Sequence, residues 1–296
     1  MKPTRKDLLR YCEDEYTDHL VYKYLAEREE DSERKNVLLK LSQQEEGHYF
    51  FWKGLIGDEY HPRPRRFFIR FLLLLRYIFG LTFTIKFLER HEDEVINEYR
   101  KVLPYFDGEN ARQLEQIITD EEEHEHFFIG QIQEQRVKYL GFIVLGLADA
   151  IIEITGVHAG FLGVSSSTKM AGVAGLIVGF AAAISMGSAA YLQTKQGSEQ
   201  HPFTSALITG ISYIFAVTLL ALPYFLTHNM LVAFVVSLMM AMLLTAYFTF
   251  YSAVLFDRVF FREFLENSLL TLGTAVATYL FGEFLGKIFH MKSAIM

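Results

Sequence analysis

The chain has 296 residues, 51% of them hydrophobic and 21% charged, with a formal net charge of −7. The charges fall mostly before Tyr139, and the chain beyond it is strongly apolar. This division excludes a simple soluble enzyme, and the acidity of the first part argues against a nucleic-acid partner and for cations. The only cysteine, Cys12, allows neither an intrachain disulfide nor a thiolate metal cluster. The opening residues MKPTRKDLLRYCEDEY lack the apolar stretch of a cleaved signal peptide, so the first domain is expected to stay on the side where it is made.

In chain order, residues 5–56 and 84–136 predict helices. They are rich in Glu, Lys, Leu and Arg, with apolar residues at helical spacing and a break at Pro104. Two Glu-x-x-His motifs occur here, Glu45 with His48 and Glu121 with His124. Upstream of each lies a Glu seven residues before a Tyr: Glu15 with Tyr22, and Glu92 with Tyr99. The interval from Glu15 to Glu45 matches that from Glu92 to Glu121 within one residue, which indicates a duplicated helix pair. The order Glu, Glu-x-x-His, Glu, Glu-x-x-His is the ligand order of di-iron carboxylate four-helix bundles, in which i and i+3 project from one helix face toward a shared point. Glu123 with His126 forms an overlapping motif, but Glu121 with His124 preserves the duplicated spacing. Glu46, Glu89 and Glu94 are nearby carboxylates, any of which would serve as an extra or switching ligand. Tyr22 and Tyr99 suit either hydrogen bonding to ligands or simple core packing.

Between the helix pairs lies a segment, residues 63–88, of which 67–88 are long and apolar enough to raise the question of a membrane span. A span here would separate the two halves of the ligand set. Arg65, Arg66, Arg70, Arg76 and Lys86 suit an amphipathic helix at the bilayer surface or docked on the membrane domain; burial in the bundle and a re-entrant segment are the alternatives.

Five later runs, near residues 139–163, 170–192, 204–226, 229–255 and 268–289, have the roughly 20 apolar residues needed to cross about 30 Å of hydrocarbon. The break at 257–267 is charged and is expected to be a link. Arg136, Lys138, Lys195, Arg258 and Arg262 fall on one side and Lys169, Lys287 and Lys292 on the other, which favours a cytoplasmic N-terminal domain. Gly175, Gly179, Ala183 and Gly187 form a small-residue stripe that lets another helix approach closely.

The first span carries Asp149 and Glu153 four residues apart, on one helix face near mid-membrane. Each costs roughly 2.5–3.5 kcal/mol at that depth, so the pair points to a cation pathway in which protonation is available as a coupling step; a pair sharing a proton and bonding a neighbouring helix is the alternative. Met186 in the second span either fills the core, as methionine commonly does, or offers a soft thioether that favours iron over magnesium. Glu283 and His158 are weaker candidates, the histidine sitting near a span end where interfacial groups are common.

Residues 15–26, EYTDHLVYKYLA, with QEEGHYFFW and DEEEHEHFF, resemble the rubrerythrin branch of ferritin-like proteins. Residues 147–163, LADAIIEITGVHAGFLG, and 183–199, AISMGSAAYLQTKQGSE, resemble the vacuolar iron transporter family. The fusion is similar to the membrane-bound ferritin proteins of prokaryotes. The resemblance implies an all-α fold: a ferritin-like four-helix bundle (residues 1–136) followed by a five-helix transmembrane bundle (residues 137–296) that dimerises. It implies export of Fe²⁺, and often Mn²⁺, from the cytosol across the cell (inner) membrane against protons. Glu15, Glu45, His48, Glu92, Glu121 and His124 match the family's metal ligands, Asp149 its first-span aspartate and Met186 its second-span methionine. The resident metal is then iron, with manganese or zinc as alternatives. This chain departs from the transporter pattern at Ala150, where the family often has glycine, and at Ala190, where it has an acidic residue for which Glu153 would compensate. The link near 193–203 is short where plant and fungal members carry a metal-binding insert. A membrane-anchored di-iron oxidase or peroxidase (a ferroxidase) and a scavenging protein without transport are the competing readings.

Overall fold

The computed structural model describes residues 2–57, 59–90, 92–123, 135–197 and 200–289, and among them every regular element is helical. The chain divides into two compact units, Met1–Glu134 and Gln135–Met296.

In the first unit, α1 (Arg5–Glu27) and α2 (Ser32–Ile56) are joined by a short loop and pack along their length. The start of α1 is set by reciprocal capping: the Thr4 hydroxyl accepts from the Asp7 amide, and the Asp7 carboxylate accepts from the Thr4 amide at 2.8 Å. Asp31 caps α2 through the amides of Glu33 and Arg34. Tyr11, Cys12, Glu15, His19, Tyr22 and Ala26 recur at helical spacing and are all buried. They face Leu38, Leu41, Glu45, His48 and Trp52 of α2, also buried. The His19 Nδ1–H donates to the Ser42 carbonyl at 2.7 Å and fixes the register of the pair.

The intervening segment forms two short helices, α3 (Arg66–Phe79) and α4 (Leu81–Glu89). They are separated at Gly80, whose φ of 97° is one that a side chain rarely adopts. Neither is long enough to cross a bilayer. Burial takes nearly all of α4, whereas α3 buries only one face, Ile69, Leu72 and Leu75. The second pair consists of α5 (Glu92–Val102) and α6 (Gly108–Glu123), with a 3-10 turn at Leu103–Tyr105 where Pro104 breaks the helix.

The second unit opens with a helical turn, α7 (Gln135–Lys138). Five long helices come next: α8 (Leu140–Val164), α9 (Thr168–Lys195), α10 (Pro202–Leu226), α11 (Met230–Leu255) and α12 (Phe260–Ile288). All five are long and apolar enough to cross a membrane. The helix α8 touches each of the other four. Close approach is achieved with glycine. A side chain at Gly163 would lie 2.6 Å from the Tyr279 carbonyl, and one at Gly282 would collide with the Gly160 carbonyl, so α8 and α12 meet backbone to backbone. The stripe on α9 is used within the chain: Gly175 lies under the His158 ring, Gly179 under Val217, and Gly187 against the Ala206 carbonyl. It therefore carries no argument for a dimer. The charged segment expected as a link to the last span is mostly helical, because α12 begins at Phe260. Arg262 and Glu266, one turn apart at 3.0 Å, support that extension, as does Glu263 in the first turn.

Candidate metal centre

Four side chains converge in the first unit. Glu15 comes from α1, Glu45 and His48 from α2, and Glu121 from α6; all are buried, and one donor atom of each lies within 4.8 Å of the others. The His48 Nδ1 stands 3.0 Å from Glu121, 3.4 Å from Glu15 and 3.5 Å from Glu45, while its Nε2 lies 3.3 Å from Asp120. Glu45 and His48 reach the same point because i and i+3 share a helix face. Of the six ligands expected from sequence, these four are brought together. His124 and His126 lie outside the described residues, as do the side chains of Glu92 and Glu123.

Two tyrosines brace the carboxylates. The Tyr99 hydroxyl donates to Glu15, and the Tyr22 hydroxyl donates to Glu89. Both rings are buried, so these residues pack and hydrogen-bond at once. Glu89, at the end of α4, is itself buried at 5% exposure, and it occupies toward Tyr22 the place that Glu15 occupies toward Tyr99. Glu94, the other extra-ligand candidate, is exposed and lines the wall of a cavity of about 470 Å³ that also exposes atoms of Glu15, Glu45 and Glu121. Asp18 lines the same cavity. Sequence reasoning passed over Asp18 and Asp120, although Asp18 comes three residues after Glu15 and so shares its face.

The electrostatics express crowding of acid groups. Burial pushes the Glu15 carboxyl up to about 8, eased by its bond from His48 and reinforced by Glu121 and Glu45. Burial also holds Asp18 well above the usual carboxylate range, with Glu45 and Glu15 adding repulsion. Burial opposes a charge on His48, yet Asp120, Glu121, Glu15 and Glu45 outweigh it and hold the imidazole well above its usual value. Carboxylates arranged in this way repel one another when ionised, and a divalent cation among them removes that cost. Hard carboxylate oxygens with one imidazole fit Fe²⁺, Mn²⁺ or Zn²⁺.

In the second unit, Asp149 and Glu153 are half-buried on α8, and the Tyr213 hydroxyl of α10 donates to Glu153. Met186 of α9 packs on the core formed by Leu147, Ala150, Ile151, Ile154 and Tyr213. Ala190 is fully buried, so a methyl group fills the place where the family resemblance implies an acid. Glu283 pairs with Lys287 at 3.2 Å. His158 is not interfacial: it is fully buried against Gly175, with its ring 4.0 Å from that of Tyr224.

The sequence model of the VIT family matches residues 195–283, from the end of α9 to near the end of α12. No curated protein and no solved structure matches the chain. The matched stretch covers the later membrane helices and does not include Asp149, Glu153 or Met186. Residues 195–283 are thus similar to the VIT family, and the five apolar helices fit a multi-pass membrane protein.

Proposed function

We propose that the chain carries Fe²⁺, with Mn²⁺ as a second cargo, outward across the cell membrane, and that Asp149 and Glu153 bind the cation on its way. The observation that carries this reading is the pair of carboxylates one turn apart within an apolar helix, in a unit whose C-terminal part matches the VIT family. Ionised carboxylates are costly at that depth unless a cation or proton accompanies them, so proton uptake on cation release would couple the flux to a proton gradient. Met186 adds a thioether donor in this reading, and Tyr213 orients Glu153.

The N-terminal unit, in the same reading, is a cytoplasmic ferritin-like di-iron domain that collects or senses iron. Glu15, Glu45, His48 and Glu121 would hold the metal, with Glu89, Glu92 and His124 completing the set. The buried convergence of four donors supports this. Bound iron would supply one-electron redox chemistry; the protein supplies the carboxylates, the tyrosines that orient them and the cavity beside them. The transporter would act as a homodimer.

The test is Fe²⁺ flux into proteoliposomes holding the purified chain. Wild type should carry iron and Asp149→Asn should not. An inactive but folded wild type would defeat the proposal.

A further inference from the structure

The helix α3 has two apolar faces. Its helical repeat puts Ile69, Leu72 and Leu75 inside the unit, Phe71 at the flank against Phe87, and Phe67, Leu74, Tyr77 and Ile78 on the opposite arc. That outer arc is open: Phe67 is 86% exposed, Tyr77 88% and Leu74 53%. A contiguous exposed apolar face on a folded unit marks a contact surface. Its edge is basic. Arg63, Arg66 and Arg70 are exposed and have no ion-pair partner among the described residues. The two other arginines of this stretch are already engaged: Arg65 pairs with Asp14 at 2.6 Å and Arg76 with Glu29 at 3.0 Å. This basic edge stands out in a unit whose sequence is otherwise acidic.

We propose that α3 lies in the surface of an anionic bilayer, with Phe67, Leu74, Tyr77 and Ile78 among the upper acyl chains and Arg63, Arg66 and Arg70 on the headgroups. Three features favour lipid over protein. Bulky aromatic and aliphatic side chains beside arginines are the composition of a helix that lies in the interface plane. Arginines at the rim match the negative charge of anionic lipid. In a two-fold contact with a second copy, the same rim would meet a like-charged surface. The chain also enters its first membrane span at Leu140, soon after this unit ends, so a bilayer is always within its reach.

The experiment uses the full chain in single-copy nanodiscs, with a fluorophore on Tyr77→Cys and a nitroxide lipid as quencher. Cys12 does not compete for the label: it is fully buried, and burial pushes its thiol up to about 12. In discs containing phosphatidylglycerol the label should lose most of its emission to the nitroxide. The loss should shrink in phosphatidylcholine discs, and also when Arg63→Glu, Arg66→Glu and Arg70→Glu are introduced together. Emission from the buried Trp52 checks that each variant is folded. A label that is water-exposed and unquenched in both lipids would overturn the proposal. So would a label shielded from water yet untouched by the nitroxide, which would mean that protein covers α3. Equal quenching in both lipids and in the triple variant would overturn the anionic assignment.

Discussion

Tyr99 of α5 donates its hydroxyl hydrogen to Glu15 of α1, joining the second helix pair to the first at the carboxylate cluster. The bond crosses the unit and ends on a carboxyl that is 4% exposed. Tyr99→Phe removes the donor and leaves the acid buried, which should cost about 1–3 kcal/mol. Trp52 is the chain's single tryptophan and lies 5.0 Å from the Tyr99 ring, so its fluorescence reports unfolding of this unit alone. A lowered denaturation midpoint at Trp52, with the membrane helices unaffected, is the expected outcome.

Without metal, the first unit should weaken as pH rises. The Glu15 carboxyl is raised from 4.5 to about 8 in the folded protein. A group raised in this way contributes stability that is complete below about pH 4.5 and lost as pH climbs through about 8. His48, also held above its usual value, acts in the same direction. Trp52 denaturation midpoints should therefore fall between about pH 5 and about pH 9 in chelated protein. Adding Mn²⁺ or Zn²⁺ should flatten that fall, because the cation takes the place of the protons.

Glu45→Ala with His48→Ala removes two of the four converging donors. If the cluster holds metal, purified wild type should carry about two ions in its first unit, as di-iron bundles do. The double variant should carry fewer, by elemental analysis, with its helical content kept. Unchanged stoichiometry would remove the assignment.

Gly282 tests the packing of the membrane unit. A methyl group there collides with the Gly160 carbonyl, and backbone cannot move aside cheaply. Gly282→Ala should destabilise the second unit by about 1–3 kcal/mol. Gly273→Ala, on the same helix with nothing within 4 Å of the added carbon, should be neutral or slightly stabilising. Thermal melts in detergent, monitored by helicity, distinguish the two.

Much of this was legible in the sequence where a local rule decides the outcome. The first four membrane helices begin and end close to the apolar runs because hydropathy and length act within one segment. The last helix begins earlier than its apolar run, since its first turns are polar and held by Arg262 and Glu266. Glu15, Glu45, His48 and Glu121 were visible through helical spacing. The partners of Tyr22 and Tyr99 were not, because Glu89 and Glu15 are far away in the chain. For the same reason the glycines of α9 could be seen as a stripe, while their use against His158, Val217 and Ala206 could not. The short helices α3 and α4 were hidden by a continuous apolar run, and only the turn at Gly80 separates the buried helix from the half-exposed one.

Cation passage at Asp149 and Glu153 of α8 is the proposal on which the others depend. The most direct measurement is Fe²⁺ flux in proteoliposomes, with and without a pH gradient, for wild type, Asp149→Ala and the Glu45→Ala/His48→Ala variant. Expected are gradient-dependent flux in wild type, its loss in Asp149→Ala, and flux in the double variant that persists but requires more iron. Flux unchanged in a folded Asp149→Ala protein, or none in wild type, would contradict it.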